Sequence, residues 1–295
     1  MNQKDFGDLI CALRQDVPLT QSELAEKMGE KVSVVSQIER GVKKYLEPNL
    51  VMNLGTALGL NTNERRQLIL AASGLDEFHL TGKPKEVESL KLKKSMEILD
   101  KLMYLLGQLP FPGYIQDVFG ESVAANGAAV KFYNITPEQM AIAGEIPGGY
   151  TTIRMMFGDI ISAVVTTSYD KYLLNSIRSL RELSLRYRAH PYFIYLMKEF
   201  RNSKKYPGFE RYWRHASIAE DDKDVEYDLF EFSHAFYGDM KFATPWQSVH
   251  TPHGELIFVY NVPLDKHTSD VFDQLVAGEG RKAYRFAPWP EKKMI

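Results

Sequence analysis

A group of polar and basic side chains between residues 21 and 44 has the chemical types that contact a nucleic acid. Amide and hydroxyl groups bond to base edges, and a glutamine amide pairs with adenine through two hydrogen bonds. Cationic and amide groups also bind phosphate oxygens, and the N-terminus of a helix adds free backbone N–H groups that favour a phosphate. The residues predicted to contact DNA are Gln21, Lys31, Val32, Ser33, Ser36, Gln37, Arg40, Lys43 and Lys44.

These side chains act together only if the segment that carries most of them is a helix with two different faces. At about 100° per residue, the helix predicted over 32–40 places small and polar side chains on one arc and apolar ones on the opposite arc. The first arc is Val32, Ser33, Ser36 and Gln37, and the second is Val34, Val35 and Ile38. The apolar arc suits packing against other helices, and the small polar arc suits a close approach to the major groove.

Signals on either side of this helix predict an all-α unit of five helices. Apolar residues at i, i+3, i+4 and i+7 predict a first helix over 5–16. The T-x-x-E pattern that starts at Thr20 is a capping box that opens a second helix, and Gly29 ends it. Two more helices are expected, at 49–58 and after a second capping box that starts at Asn61.

The segments TQSELAEKMG (20–29) and SQIERG (36–41) resemble the XRE-type helix-turn-helix family, whose fold is lambda-repressor-like. The resemblance implies sequence-specific DNA binding, with phosphate and base contacts at Gln21, Val32, Ser33, Gln37 and Arg40. The sequence departs from the family pattern at Glu30, where an apolar residue is usual, and at Lys31, where a capping Ser or Thr is usual. These departures predict a weaker cap on the third helix.

The rest of the chain predicts a second domain. Residues 75–90 mix Gly, Pro and charge as a linker does. The predicted order is therefore a DNA-binding domain over 1–74, which Gly74 closes, then this linker, and then a second domain over 91–295. A helix is expected from about 86 to 109. Its long apolar stripe could serve either the core or a partner helix.

The element order of the second domain predicts an α+β fold with an antiparallel sheet. Short strand-like runs near 114–125 precede a helical region, and a second helical block covers about 169–214. Three strand-like runs then follow, which are expected to form an antiparallel meander: 229–237, 240–249 and 255–262.

Three stretches of this second domain resemble the C-terminal domain of MmyB-like transcription regulators: residues 110–129, 185–215 and 233–242. The resemblance implies a PAS-like domain with a ligand pocket under a curved sheet, and a bound fatty-acid-like molecule. The sequence departs from the family pattern at His215, which lies one place early after Trp213.

Flexible methionines and large aromatic rings in this region could line an apolar pocket or could fill a core. Arginine matches a carboxylate through two parallel hydrogen bonds, so an acidic head group is a candidate partner for it. The residues predicted to bind a ligand are Phe132, Met140, Met155, Met156, Phe157, Arg178, Arg181, Phe230, Phe232 and Trp246.

Composition and missing motifs restrict the function classes. The formal net charge is −2, and the first 74 residues carry nine Lys plus Arg against nine Asp plus Glu, so DNA attraction must be local. We find no catalytic or metal-binding motif and therefore expect neither an enzyme nor a required cofactor. A cytoplasmic protein without a membrane span is expected, and a homodimer as well, because paired half-sites add affinity. The alternative is that the second domain only dimerises or binds a protein, without a small ligand.

Overall fold

A computed structural model describes residues 1–43, 45–73, 88–217 and 229–292. In chain order the helices are α1 (Gln3–Asp16), α2 (Gln21–Met28), α3 (Val32–Glu39), α4 (Pro48–Ala57), α5 (Thr62–Ala72), α6 (Glu88–Gln108), α7 (Gly127–Phe132), α8 (Pro137–Ala143), α9 (Thr152–Phe157), α10 (Asp159–Ser162), α11 (Tyr169–Ser184), α12 (Pro191–Phe200), α13 (Phe209–His215) and α14 (Lys266–Val276). The strands are β1 (Gly113–Asp117), β2 (Ser122–Asn126), β3 (Leu229–His234), β4 (Gly238–Ala243), β5 (Trp246–Thr251), β6 (Gly254–Tyr260), β7 (Val262–Pro263) and β8 (Ala283–Arg285).

The chain divides into two compact units. The first unit contains Met1–Lys85, Arg181–Arg201 and Gly208–Asp222, and the second contains Glu86–Leu180, Asn202–Pro207 and Lys223–Ile295. The first unit thus includes two stretches that the sequence had assigned to the second domain. Gly74 and most of the predicted linker lie outside the described residues.

The five helices predicted at the N-terminus are confirmed as α1 to α5. Both predicted capping boxes are formed, by Thr20 before α2 and by Asn61 before α5. A third capping box at Asn2 starts α1 two residues earlier than predicted, because the Asn2 side chain accepts the backbone N–H of Asp5. Apolar faces of the five helices form one core, and Leu185 from the later part of the chain packs into it.

A buried set of charged side chains joins the early and late parts of the first unit. We name Asp16, Glu64, Arg181, Arg188 and Trp213 the buried charge cluster. Arg188 Nη1 donates to Asp16 Oδ2 at 2.9 Å, and the Trp213 indole N–H donates to the same oxygen at 3.0 Å. Glu64, which is 0% exposed, accepts from Arg181 at 3.0 Å and from Arg188 at 3.3 Å. Both guanidinium groups also lie over the Trp213 ring.

The pKa values of this cluster reflect burial and opposite charge. Burial alone would raise the pKa of Asp16, but attraction to Arg188, the Trp213 hydrogen bond and attraction to Arg201 together lower it. Burial and the neighbouring Arg181 lower the pKa of Arg188 to about 10, against the attraction of Asp16 and Glu64. Arg188 therefore stays charged at neutral pH and balances the buried carboxylate of Glu64 and the half-buried one of Asp16.

The second unit is built on antiparallel strands with helices packed against them. One sheet has the order β5-β6-β1-β2-β8 and the other has the order β3-β4-β7. Helix α6 buries Leu99, Leu102 and Leu106 against the first sheet, so its apolar stripe serves the core. Tyr104 and Leu105 on the same helix are 70% and 53% exposed.

Two of the three strand-like runs near the C-terminus are interrupted, which the sequence did not predict. The second run breaks at Thr244 and Pro245, which separates β4 from β5. β4 pairs with β3 and β7, whereas β5 pairs with β6. A proline lacks the N–H that a strand ladder needs, and the third run breaks opposite it, at Asn261. The three runs therefore pair antiparallel in the predicted order, but the breaks divide the second and third runs between two sheets.

The substitution Arg188→Met tests what the buried charge cluster contributes to stability. We expect it to lower the free energy of opening of the first unit by about 1 to 3 kcal/mol, because Asp16 and Glu64 lose their shared cation and keep only Arg201 and Arg181. Hydrogen exchange of the backbone amides in α1 and α5 measures this free energy of opening. Arg211→Met is the matched control, since Arg211 is exposed in the same unit. Equal protection in the two variants would contradict the expectation.

Candidate nucleic-acid interface

Capping groups fix both ends of α2, and the second of them begins the turn to α3. The Thr20 hydroxyl accepts from Glu23 N at 3.1 Å, and the Glu23 carboxylate accepts from Thr20 N at 2.7 Å. Gly29 ends α2 with φ of 67°, a left-handed conformation that glycine adopts without strain. Lys31 precedes α3 without a side-chain cap, which agrees with the weaker cap that the sequence predicts.

Helix α3 has the two faces that the sequence predicts. Val35 and Ile38 are 0% and 2% exposed and pack into the core of the first unit. On the opposite arc Ser33 and Gln37 are exposed, and Val32 is 45% exposed. Ser36 is half-buried and Arg40 is exposed. A band of small, amide and cationic groups therefore faces away from the core, and this prediction is confirmed.

A buried carboxylate connects α1, α2 and α3. Glu39, which is 8% exposed, accepts from Arg14 Nε at 2.6 Å and Nη2 at 3.1 Å, and from Gln21 Nε2 at 2.7 Å. Its hydrogen bond to Arg14 raises the pKa of that guanidinium. At Gly7, α1 comes so close that a Cβ would lie 2.5 Å from the Glu39 carbonyl oxygen. Glu39 thereby holds the side chain of Gln21 at the start of α2.

Arg14 and Glu39 were not predicted to belong to this site. Their only local signal is the glutamate of SQIERG and a basic residue in the last turn of α1. Two apolar side chains after α3 were also missed: Val42 is 55% exposed and Tyr45 is 69% exposed. Both lie in the loop that contains the predicted contact residue Lys43.

The basic residues after α3 differ in their surroundings. Arg40 Nε donates to the Ser36 carbonyl oxygen at 3.2 Å, which holds the guanidinium against the end of α3. Lys43 is half-buried, and its backbone N–H donates to the Gln37 carbonyl oxygen at 3.3 Å. The predicted contact residue Lys44 lies outside the described residues.

Residues 12–64 match the family described as helix-turn-helix, HTH_3. The chain carries an XRE-type helix-turn-helix domain. The match supports a DNA-binding transcription regulator. It runs from within α1 to the first turn of α5 and so includes the XRE-type domain's α2, turn and α3. Comparison with curated proteins finds no match for the chain.

The structure brings only some of the predicted ligand residues together. Phe132 and Phe232 have ring centroids 6.4 Å apart, and both rings, like that of Phe230, lie against Phe242. The others lie on separate elements: Met140 on α8, Met155, Met156 and Phe157 on α9, Arg178 on α11 and Trp246 on β5.

Arg181 lies in the first unit with the XRE-type domain, and Glu64 and the Trp213 carbonyl oxygen bind its guanidinium. The expected pairing of Arg181 with a ligand carboxylate in the second unit does not fit this placement. Among the described residues, no group of three or more His, Cys, Asp or Glu side chains is arranged to hold a metal ion. The described helices also include none long and apolar enough to cross a membrane.

The substitution Glu39→Gln separates positioning from charge in the XRE-type domain. Removing a negative charge near DNA favours binding if only long-range electrostatics acts. We expect instead about tenfold weaker binding, because Arg14 and Gln21 lose the carboxylate that orients them. Fluorescence anisotropy at fixed salt, with a fragment selected from random DNA, measures the Kd. Glu26→Gln removes an exposed charge from α2 and is the control. Tighter binding by both variants would contradict positioning by Glu39.

Proposed function

We propose that this regulator reads a specific double-stranded DNA sequence through α3 and responds to a small apolar or fatty-acid-like ligand held by the second unit. The observation that carries the DNA-reading part is the division of α3, which buries Val35 and Ile38 and leaves Val32, Ser33 and Gln37 exposed. Such a helix enters the major groove with its exposed face. A role on DNA implies a cytoplasmic location, and no catalytic step or required cofactor is proposed.

Each exposed group on this face has a matching partner on DNA. The Gln37 amide matches adenine, and an apolar side chain such as Val32 matches the thymine methyl group. Gln21 at the start of α2, together with Arg40 and Lys43 after α3, suits phosphate oxygens on the neighbouring backbone. The formal net charge is −2, so affinity depends on these local groups.

The substitutions Gln37→Ala and Arg40→Ala distinguish a base contact from a phosphate contact. We expect Gln37→Ala to cost about 1 to 3 kcal/mol of discrimination at one base pair. Arg40→Ala is expected to weaken binding to all DNA sequences alike. It should also reduce the slope of log K against log salt concentration by about the value of one phosphate contact. Binding titrations on a selected site and its point variants, at three salt concentrations, measure both. Arg66→Ala on α5, which is exposed, is the control. Unchanged binding in both test variants would contradict the proposal.

The architecture of the second unit supports the ligand part of the proposal. Antiparallel strands with helices between β2 and β3 fit the PAS-like domain that the MmyB-like resemblance implies. Aromatic rings from α7, β3, β4 and α14 meet in one group, which consists of Phe132, Phe230, Phe232, Phe242 and Phe272. Such a group offers an apolar surface to a small ligand.

Helix α6 favours a second candidate function. Four large apolar side chains of this helix are exposed, Leu90, Leu92, Tyr104 and Leu105, and a partner helix or a second copy of the chain could cover the adjacent pair Tyr104 and Leu105. Under this alternative the second unit is a dimerisation or protein-interaction module without a small ligand. A homodimer is part of either proposal, because a single XRE-type domain reads few base pairs.

Native mass spectrometry of the purified chain distinguishes these two functions. We expect a dimer in which each subunit carries an adduct of small apolar mass, because the ligand sits among buried aromatic rings. Denaturation is expected to release it. A dimer of bare subunits would favour the interaction module, and a bare monomer at micromolar concentration would contradict the homodimer.

A further inference from the structure

Three uncharged polar side chains meet beside the aromatic group of the second unit. Tyr133 follows α7, Tyr172 lies in the first turn of α11, and Asn261 separates β6 from β7. They are buried, with 9%, 8% and 1% of their surfaces exposed. The two phenol oxygens lie 3.5 Å apart. We name these residues the Tyr–Tyr–Asn cluster.

The Tyr–Tyr–Asn cluster lies where the antiparallel ladder is interrupted. Thr244 at the break between β4 and β5 donates its hydroxyl to Asn261 Oδ1 at 3.3 Å. The backbone N–H of Asn261 donates to the Pro112 carbonyl oxygen at 2.9 Å. Asn261 is therefore held at the break by its carboxamide on one segment and by its backbone N–H on another.

Aromatic rings border the cluster on two sides. Phe132 packs edge-on against Tyr133, with ring centroids 5.1 Å apart. Phe230 and Phe232 lie against Tyr172, with centroids 4.7 Å and 5.7 Å away. Three residues that the sequence predicts to bind a ligand thus surround polar groups that it did not predict. Apolar walls with a few convergent polar groups are typical of small-molecule sites.

The hydrogen bonds within the cluster leave donors unmatched. Two phenols and one carboxamide supply four donor hydrogens, and the phenol pair uses one of them. Asn261 Nδ2 is buried without a hydrogen-bond acceptor among the described residues. Turning the amide over would give at most one of its two N–H groups to Thr244. In the orientation described, one phenol O–H and one amide N–H lack an acceptor. With the amide turned over, its oxygen can accept from Tyr133, and one buried amide N–H is still unpaired, which is costly.

Among the described residues, only uncharged side chains influence the pKa values of the two phenols. Burial raises the pKa of Tyr133, while the Tyr172 hydroxyl and the Asn261 carboxamide beside it lower it. Burial and neighbouring tyrosines raise the pKa of Tyr172 well above its ordinary value. Burial also lowers the pKa of His234, which lies against Phe132 and whose Nε2 is 2.8 Å from the Phe132 carbonyl oxygen. A carboxylate placed here would be buried without a cation to pair with, which is unfavourable.

We propose that the Tyr–Tyr–Asn cluster binds the uncharged polar end of a small ligand. A carbonyl or hydroxyl oxygen of the ligand accepts from a phenol and from Asn261 Nδ2, and its apolar part lies against Phe132, Phe230 and Phe232. This inference rests on the proposed ligand function. It narrows the ligand from fatty-acid-like to a neutral amide, ester or alcohol.

Binding of octanamide and octanoate to the full chain at pH 7.5 tests the inference by calorimetry. The two probes share an alkyl chain and differ in the charge of the polar end. We expect octanamide to bind at least about tenfold more tightly, because the described residues around the site supply no cation for a carboxylate. Tyr172→Phe and Asn261→Leu are each expected to weaken the binding of octanamide by about threefold to tenfold, because each removes one hydrogen bond.

Tyr284→Phe makes the same chemical change on β8 and is the control, with no loss expected. Tyr172→Phe keeps the ring that packs on Phe230, so it carries the test if Asn261→Leu does not fold. Equal binding of the two probes, tighter binding of octanoate, or full octanamide affinity in Tyr172→Phe would overturn the inference and leave ligand sensing intact. If neither probe binds and native spectra show no adduct, ligand sensing fails as well.

Discussion

The first unit depends on two carboxylates, one buried and one half-buried, whose cationic partners come from distant positions of the chain. Asp16 ends α1 and Glu64 belongs to the capping box of α5, so both sit at helix ends that define the XRE-type domain. A buried carboxylate that loses its partner is strongly destabilising. Arg181 and Arg188 supply the cations. Arg181 lies 117 positions after Glu64, and Arg188 lies 172 positions after Asp16. The DNA-reading unit is consequently discontinuous in sequence.

This discontinuity gives helix α11 a place in both units. Its residues up to Leu180 belong to the second unit, and its last turn, from Arg181, belongs to the first. One helix thus carries Tyr172 of the Tyr–Tyr–Asn cluster and Arg181 of the buried charge cluster. The last turn of α11, which supplies Arg181 to the first unit, therefore follows in the same helix the residues of the proposed ligand site.

Local signals were enough to predict the XRE-type domain, because its determinants are short-range. The capping box at Thr20 and the left-handed Gly29 act within a few residues, and the faces of α3 follow from helical period alone. The partners of Glu64 could not be predicted in this way, since pairing across 117 residues leaves no periodic trace. Helix α14 was missed although a local signal exists: Asp265 caps it, and Val271, Phe272 and Leu275 form its buried face.

The strand break in the second unit shows where the local sequence rules and the structure diverge. Residues 240–249 were predicted as one strand, and Pro245 was the single local sign against it. Pairing resumes on both sides of the break, with Ala243 opposite Val262 and Trp246 opposite Val259. The break therefore removes backbone hydrogen bonds between the two runs, but the same two runs remain paired on both sides of it. Departures from local rules tend to occur at functional sites, and this one positions Asn261 beside two buried phenols.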